Sequence, residues 1–252
     1  MSAITASDNQ VSLICAECKT RPCFFDPVKQ TTHVFCGRRC ARKATAKNPL
    51  CLNCGAASKC FAPGSKQIIL DFCSSACKKA AMAKGPCLLP MSPNDPKFNS
   101  VQNQFNASWN RTVQCIFKII PELKSYQAYK AYRASFAQRG QKPNEERRFH
   151  GTPRACNLGE GGNVTFCNQV TCTLCQLLQT GFKHPNRFTK SSDGLYFAVD
   201  SSISDYYIRS TTTPKAMILA RIIEGQAGVD SKRPQDKFRV IPRQDGALPA
   251  YL

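Results

Sequence analysis

No stretch of this chain approaches the run of about 20 apolar residues that a membrane-crossing helix requires. Its first residues, Met1 to Leu13, are polar and lack the apolar centre of a secretory signal. Acidic residues are scarce as well: sixteen Asp and Glu against thirty-five Lys and Arg, a net charge of +19. The first two absences exclude a helical membrane protein and point to an intracellular one, nuclear or cytoplasmic. The third favours anionic partners, whether nucleic acid, acidic protein or the pyrophosphate of a dinucleotide, unless the charge serves only to keep the chain soluble. A hydrophobic content of 42% supports a packed core, and 252 residues make one or two domains.

Cysteine is abundant, with sixteen residues. Without a secretory signal that number argues for metal binding rather than disulfides. After a tail (1–11) expected to be disordered, two units repeat. Residues 12–48 hold Cys15, Cys18, Cys36 and Cys40, and residues 49–87 hold Cys51, Cys54, Cys73 and Cys77. Cys15 and Cys51 lie 36 residues apart, the period of a duplicated unit. Each unit reads as a short hairpin followed by a short helix (39–47 and 75–84). Its two Cys pairs can converge tetrahedrally on Zn²⁺. Cys23 and Cys60, at nearly equivalent positions, are buried small residues, alternative ligands, or a sign of a different pairing. Cys87 and Cys115 have no assignment. Thirteen Lys and Arg stand against four Asp and Glu over residues 1–87, so a basic helix can lie along a phosphate backbone, although no aromatic stacking platform is evident.

Residues 88–111, rich in Pro, Asn and Ser and without a sustained period, read as a linker. The remainder, 112–252, reads as a mixed α+β domain. A strand before Pro121 leads to a helix with an aromatic stripe (Leu123, Tyr126, Tyr129, Tyr132, Phe136), and residues 214–225 read as a central strand. Between them Cys156, Cys167, Cys172 and Cys175 offer a third zinc site, or else buried thiols with one reactive cysteine.

Two stretches of this last domain stand apart. One is Arg147-Arg148-Phe149-His150-Gly151-Thr152. The other runs from Gly194-Leu195-Tyr196-Phe197-Ala198 to Ser202-Ile203-Ser204-Asp205-Tyr206-Tyr207. Alone, a His before Gly-Thr is an ordinary capped turn. The pair in this order resembles the nicotinamide-binding signature of poly(ADP-ribose) polymerase-type ADP-ribosyltransferases, the branch named for a His-Tyr-Glu triad. Behind tandem cysteine-rich fingers, and with cysteines inserted after the His turn, the arrangement over roughly residues 12–252 is similar to that of fungal polymerase-like proteins.

The resemblance implies a split, mostly antiparallel sheet with an NAD cleft between its halves, preceded by two four-cysteine zinc units. It implies NAD as substrate, with His150 and Tyr196 catalytic and with His150, Gly151, Thr152, Tyr196, Ser204 and Tyr207 holding the dinucleotide. The His would bond the adenosine ribose, the Gly backbone and Ser204 hydroxyl would bond the nicotinamide amide, and the two tyrosines would sandwich its ring. The third cysteine group would brace the wall of the cleft. The chain end, from Asp236, resembles the family's paired last strands.

The pattern breaks at the third triad position. Alignment by the chain end puts Phe238 where the family has Glu, with Asp236 able to substitute if the register slips by two residues. Ile203 stands where a Lys is common, and the segment before Asp236 is short. Chain elongation is therefore not expected. Three readings follow: a mono-ADP-ribosyltransferase or NAD glycohydrolase acting on a protein, nucleic-acid or water acceptor; an inactive NAD- or ADP-ribose-binding pseudoenzyme; and a zinc-finger nucleic-acid or protein adaptor.

Overall fold

The computed structural model describes residues 14–15, 17–27, 31–33, 35–46, 49–65, 68–184, 193–208 and 214–252. The tail expected to be disordered lies outside them. The chain forms two compact units, Met1–Lys78 and Lys79–Leu252.

The first unit is two copies of one small motif. A hairpin of β1 (Phe25–Asp26) and β2 (Thr31–Thr32) precedes α1 (Arg38–Ala46), and α2 (Ser75–Ala83) ends the second copy. The copies match bond for bond at the first cysteine pair. Cys15 N–H donates to the Arg21 carbonyl at 2.8 Å and Lys19 N–H to the Cys15 carbonyl at 2.9 Å; Cys51 to Ala57 and Gly55 to Cys51 repeat those distances. Lys19 and Gly55 both turn the chain with positive φ, at 56° and 63°. Glycine adopts this conformation without a Cβ clash, so the second copy carries less strain at its turn.

The second unit is mixed α/β around one antiparallel sheet. Its elements are β3 (Cys87–Pro90), α3 (Pro96–Asn106), β4 (Phe117–Ile120), α4 (Leu123–Gln138), β5 (Glu145–His150), α5 (Thr173–Thr180), β6 (Leu195–Ala198), α6 (Ser201–Asp205), β7 (Ile218–Ile223), β8 (Phe238–Ile241) and β9 (Ala247–Tyr251). The strand order is β3-β4-β9-β7-β5-β6-β8, every neighbouring pair antiparallel. β7 lies at the centre, buried on both faces, which is why its sequence is an almost unbroken apolar run. Ile218, Ala220 and Ile222 join a core with Phe117, Ile119, Leu174, Leu178 and Phe197. Ile223 faces a second core with Leu248 and with Tyr129 and Phe136 of α4. The aromatic stripe of α4 is thus core, except that Leu123 at its start is exposed.

Two sequence expectations are corrected here. The stretch 88–111 is no linker: it carries most of β3 and all of α3. Asp95 caps α3 by accepting from Lys97 N–H at 2.9 Å, and Pro96 fills the first helical turn, where a missing N–H costs nothing. The last two strands are not paired with each other. β8 pairs with β6, and β9 lies between β4 and β7. Pro242 ends β8 without an N–H to continue a ladder, and a turn at Gln244–Gly246 carries the chain across the sheet.

The joint between β5 and β6 is narrow. The two strands share a single residue pair, Phe149–Ala198, whereas β5 pairs with β7 along all six residues. Beside the joint, Arg239 of β8 reaches Glu224 at 3.1 Å and Glu146 of β5 at 3.4 Å. Arg148 pairs with Glu146, and Arg233 with Glu224.

Candidate functional site

His150 is the last residue of β5 and sits at this joint. Its Nδ1 lies 3.0 Å from the Tyr196 carbonyl, an acceptor only, so Nδ1 carries the proton and Nε2 is left as an acceptor. Burial holds its pKa below the ordinary imidazole value, which keeps the ring neutral at pH 7. Phe182 and Phe197 fix the ring orientation, with centroids at 5.2 and 5.5 Å.

All six residues implied for dinucleotide binding line one cavity of about 550 Å³: His150, Gly151, Thr152, Tyr196, Ser204 and Tyr207. Three elements supply them. The chain leaving β5 gives the first three, β6 gives Tyr196, and α6 with its following turn gives Ser204 and Tyr207. Ser204 and Thr152 are buried, while Tyr207 is half exposed. Tyr196 donates its hydroxyl to Asp193 Oδ1 at 2.8 Å, and Lys232 Nζ lies 3.2 Å from Oδ2, so the phenol is anchored at its outer end.

Gly151 is required for a reason that differs from the one read in the sequence. A Cβ there would lie 2.1 Å from the Ser204 carbonyl and 3.0 Å from Ile208 Cγ1. The glycine admits α6 to the end of β5. It thereby brings Ser204 and Tyr207 to the cavity, whatever the ligand.

α6 is held from behind by the segment expected to be a linker. Ser201 Oγ donates to the Phe105 carbonyl at 2.7 Å, and Ser108 Oγ accepts from Ser201 N–H at 2.9 Å. Gln104 Nε2 donates to the Arg147 carbonyl at 3.1 Å, tying α3 to β5 as well.

Phe238 lines the same cavity, opposite Ala198 in the β6–β8 ladder. Its ring is edge-on to both tyrosines, with centroids 6.3 Å from each. Asp236, the proposed substitute carboxylate, is exposed in the turn before β8 and is not on the strand. Its φ of 53° takes it out of the register in which a two-residue slip would keep it on the Phe238 face. No Asp or Glu is among the described residues that line the cavity. The site can hold a neutral or aromatic group against Phe238 and the tyrosines, and among the described lining residues no carboxylate is available to move a proton or balance a cation.

Sequence reasoning placed a cysteine-braced wall here but not the residues of it that line the cavity. Thr173, Gln176, Leu177 and Thr180 of α5 line the cavity, followed by Phe182 and Lys183. Their spacing of three, four and seven is the periodicity of one helix face, legible in principle once the helix is placed.

Three cysteine groups can hold a metal such as zinc: Cys15, Cys18, Cys36 and Cys40; Cys51, Cys54, Cys73 and Cys77; and Cys156, Cys167, Cys172 and Cys175. In each, all four sulfurs lie within 4.8 Å of one another. Individual separations are 3.8 Å for Cys18–Cys36, 3.9 Å for Cys54–Cys73 and 3.6 Å for Cys156–Cys175. Tetrahedral Zn–S bonds of about 2.3 Å require sulfur–sulfur edges of about 3.8 Å. Disulfides need about 2.05 Å, and none of the sixteen cysteines is in one.

In each group one thiol is lowered while another, Cys36, Cys73 or Cys175, is raised. The Thr20 hydroxyl and then backbone amides lower the Cys18 pKa to about 5, and the Ala57 and Ala56 amides lower that of Cys54 to about 6. Burial raises Cys172, but the Ala155 and Cys175 amides outweigh it and bring the thiol to about 7. Cys23 and Cys60 stand outside the groups and are partly buried, Cys60 donating to the Phe72 carbonyl at 3.2 Å. Cys87 is partly buried in β3, and Cys115 is exposed with its sulfur 3.4 Å from the Gly159 carbonyl.

Among the described residues no helix is long and apolar enough to cross a membrane. Comparison with protein-family models and with curated protein sequences returned no match.

Proposed function

We propose that the second unit binds NAD in the cavity beside His150 and cleaves its nicotinamide–ribose bond, passing a single ADP-ribose to an acceptor or to water. The observation that carries this reading is the convergence of His150, Gly151, Thr152, Tyr196, Ser204 and Tyr207, drawn from three separate elements, on one cavity. The neutral His150 presents Nε2 to a ribose hydroxyl. Ser204 and the Gly151 backbone would pair the amide, and Tyr196 and Tyr207 would offer flat apolar surface to its ring. With no carboxylate in the lining, rate enhancement rests on positioning and on displacement of water. Turnover is accordingly slow, and chain elongation is absent.

The Phe238 ring at the carboxylate position supports a second reading, in which NAD or ADP-ribose is bound and not cleaved. Nicotinamide release from NAD by the wild type, against a His150→Ala control, separates the two. The first unit, with Zn²⁺ in its two cysteine groups and its excess of Lys and Arg, would recruit an acidic protein or nucleic-acid acceptor; salt-sensitive binding of either tests that role.

A further inference from the structure

We infer that occupancy of the third cysteine group controls ligand binding in the cavity, because that metal holds α5, one wall of it, against the chain that leaves His150. This rests on the NAD reading only for its affinity readout.

α5 has two working faces. Thr173, Gln176, Leu177 and Thr180 line the cavity. Leu174, Cys175 and Leu178 are buried in the core beneath, where the four sulfurs meet. Eight residues are too few for a helix to persist in water unaided. Its N-cap is Cys172. Cys172 at the cap and Cys175 in the first turn are two of the four sulfurs. A divalent metal with four thiolates carries net negative charge, so a loaded group supplies the charge that the helix N-terminus favours.

The other two ligands belong to the chain that leaves the site. Cys156 lies six residues beyond His150, and its sulfur is 3.6 Å from both Cys172 and Cys175. Ala155 N–H donates to Cys172 Sγ at 3.5 Å, Cys167 N–H to Cys175 Sγ at 3.4 Å, and Leu174 N–H to the Pro153 carbonyl at 3.0 Å. At its far end α5 is tied to the same strand through Phe182, packed on His150 at 5.2 Å. Loss of the metal frees the first turn of α5, Thr173 and Gln176 with it, while Phe182 keeps the last turn near the site. Because structural metal sites contribute folding energy directly, the coupling is strong. It is also reciprocal: a ligand that needs the ordered wall tightens the metal by the same factor.

The test uses the full chain loaded with zinc. Cys167→Ser opens the third group at a partly buried loop ligand, and Cys54→Ser opens the second group as a control. Each is expected to lose one of three metals. Cys167→Ser alone weakens NAD binding tenfold or more by calorimetry and raises amide exchange over residues 173–180. Cys167→His, which keeps a ligand, restores both. Unchanged affinity and exchange in a Cys167→Ser protein that has lost its metal overturns the inference.

Should the wild type not bind NAD, the proposed function falls, and the exchange over 173–180 alone decides this inference. Should Cys167→Ser fail to fold, the wild type decides it. Saturating NAD must slow release of one metal in three to a chelator by tenfold or more, and equal release with and without NAD overturns the coupling.

Discussion

The Phe238 ring meets Tyr196 edge-on, at 6.3 Å between centroids and 71° between planes, on the lining of the cavity that His150 closes. On the proposed NAD reading, Phe238 fills the position from which a carboxylate would reach a bound ribose. Phe238→Glu is therefore expected to raise nicotinamide release from NAD at least tenfold over wild type, whereas Phe238→Ala gives no gain. Equal rates for the Glu and Ala variants would show that the position does not face the reacting bond.

Gly151 makes a prediction that does not depend on the ligand. Gly151→Ala drives a Cβ into the Ser204 carbonyl and must push α6 away. Overpacking of this kind costs about 1–3 kcal/mol. A thermal melt should fall accordingly, with ligand affinity lost more steeply than stability. An unshifted melt would mean that α6 does not sit where the close approach requires.

The neutral state of His150 sets a pH dependence. Its folded pKa is depressed by burial, so between that value and the unfolded one, near about 6.5, the unfolded chain binds more protons. The stability contributed by the neutral ring is complete above about pH 6.5 and declines as pH falls through that window. Nε2 stays an acceptor until the folded pKa is reached. NAD affinity should then hold through pH 6.5 and weaken only on further acidification, and His150→Gln should flatten the profile. A midpoint above pH 6.5 contradicts the partly buried, neutral imidazole.

The charge cluster beside the β5–β6 joint is expected to be structural. Glu224 accepts from Arg233, forms an ion pair with Arg239 and is almost wholly buried. Glu224→Gln takes the counter-charge from the half-exposed Arg233 and leaves Arg239 only Glu146 at 3.4 Å; loss of one partner of a buried pair costs up to about 3–5 kcal/mol. Denaturant unfolding measures it. A loss below 1 kcal/mol would place the network in the solvent-screened class.

Much of this was legible from residue types and spacing. The cysteine repeat at 36 residues foretold two groups whose turns match bond for bond, because four sulfurs brought within reach of one point leave the chain little choice of path. Strand β7 was legible because burial on both faces demands an unbroken apolar run. Segment 88–111 was misread because its helix is short and polar on its outer side; the usable signal was Asp95-Pro96 with Phe98, Val101 and Phe105 at helical spacing behind it. That β8 and β9 part company could not be read locally, since strand pairing across a sheet is a tertiary choice. Among site residues, the His-Gly-Thr and Tyr-Ser-Tyr stretches were visible and meet in one cavity. The lining residues of α5 were not, because its apolar face dominated the pattern and its polar stripe resembled a solvated one.

The most direct test of the central proposal is nicotinamide release and label transfer from adenine-labelled NAD by the zinc-loaded full chain, with His150→Ala alongside. The account predicts slow release by the wild type, at least tenfold above the variant, with label passing to protein, nucleic acid or water as single units. Release no faster than that of His150→Ala contradicts it, and leaves the cavity as a binding site without chemistry.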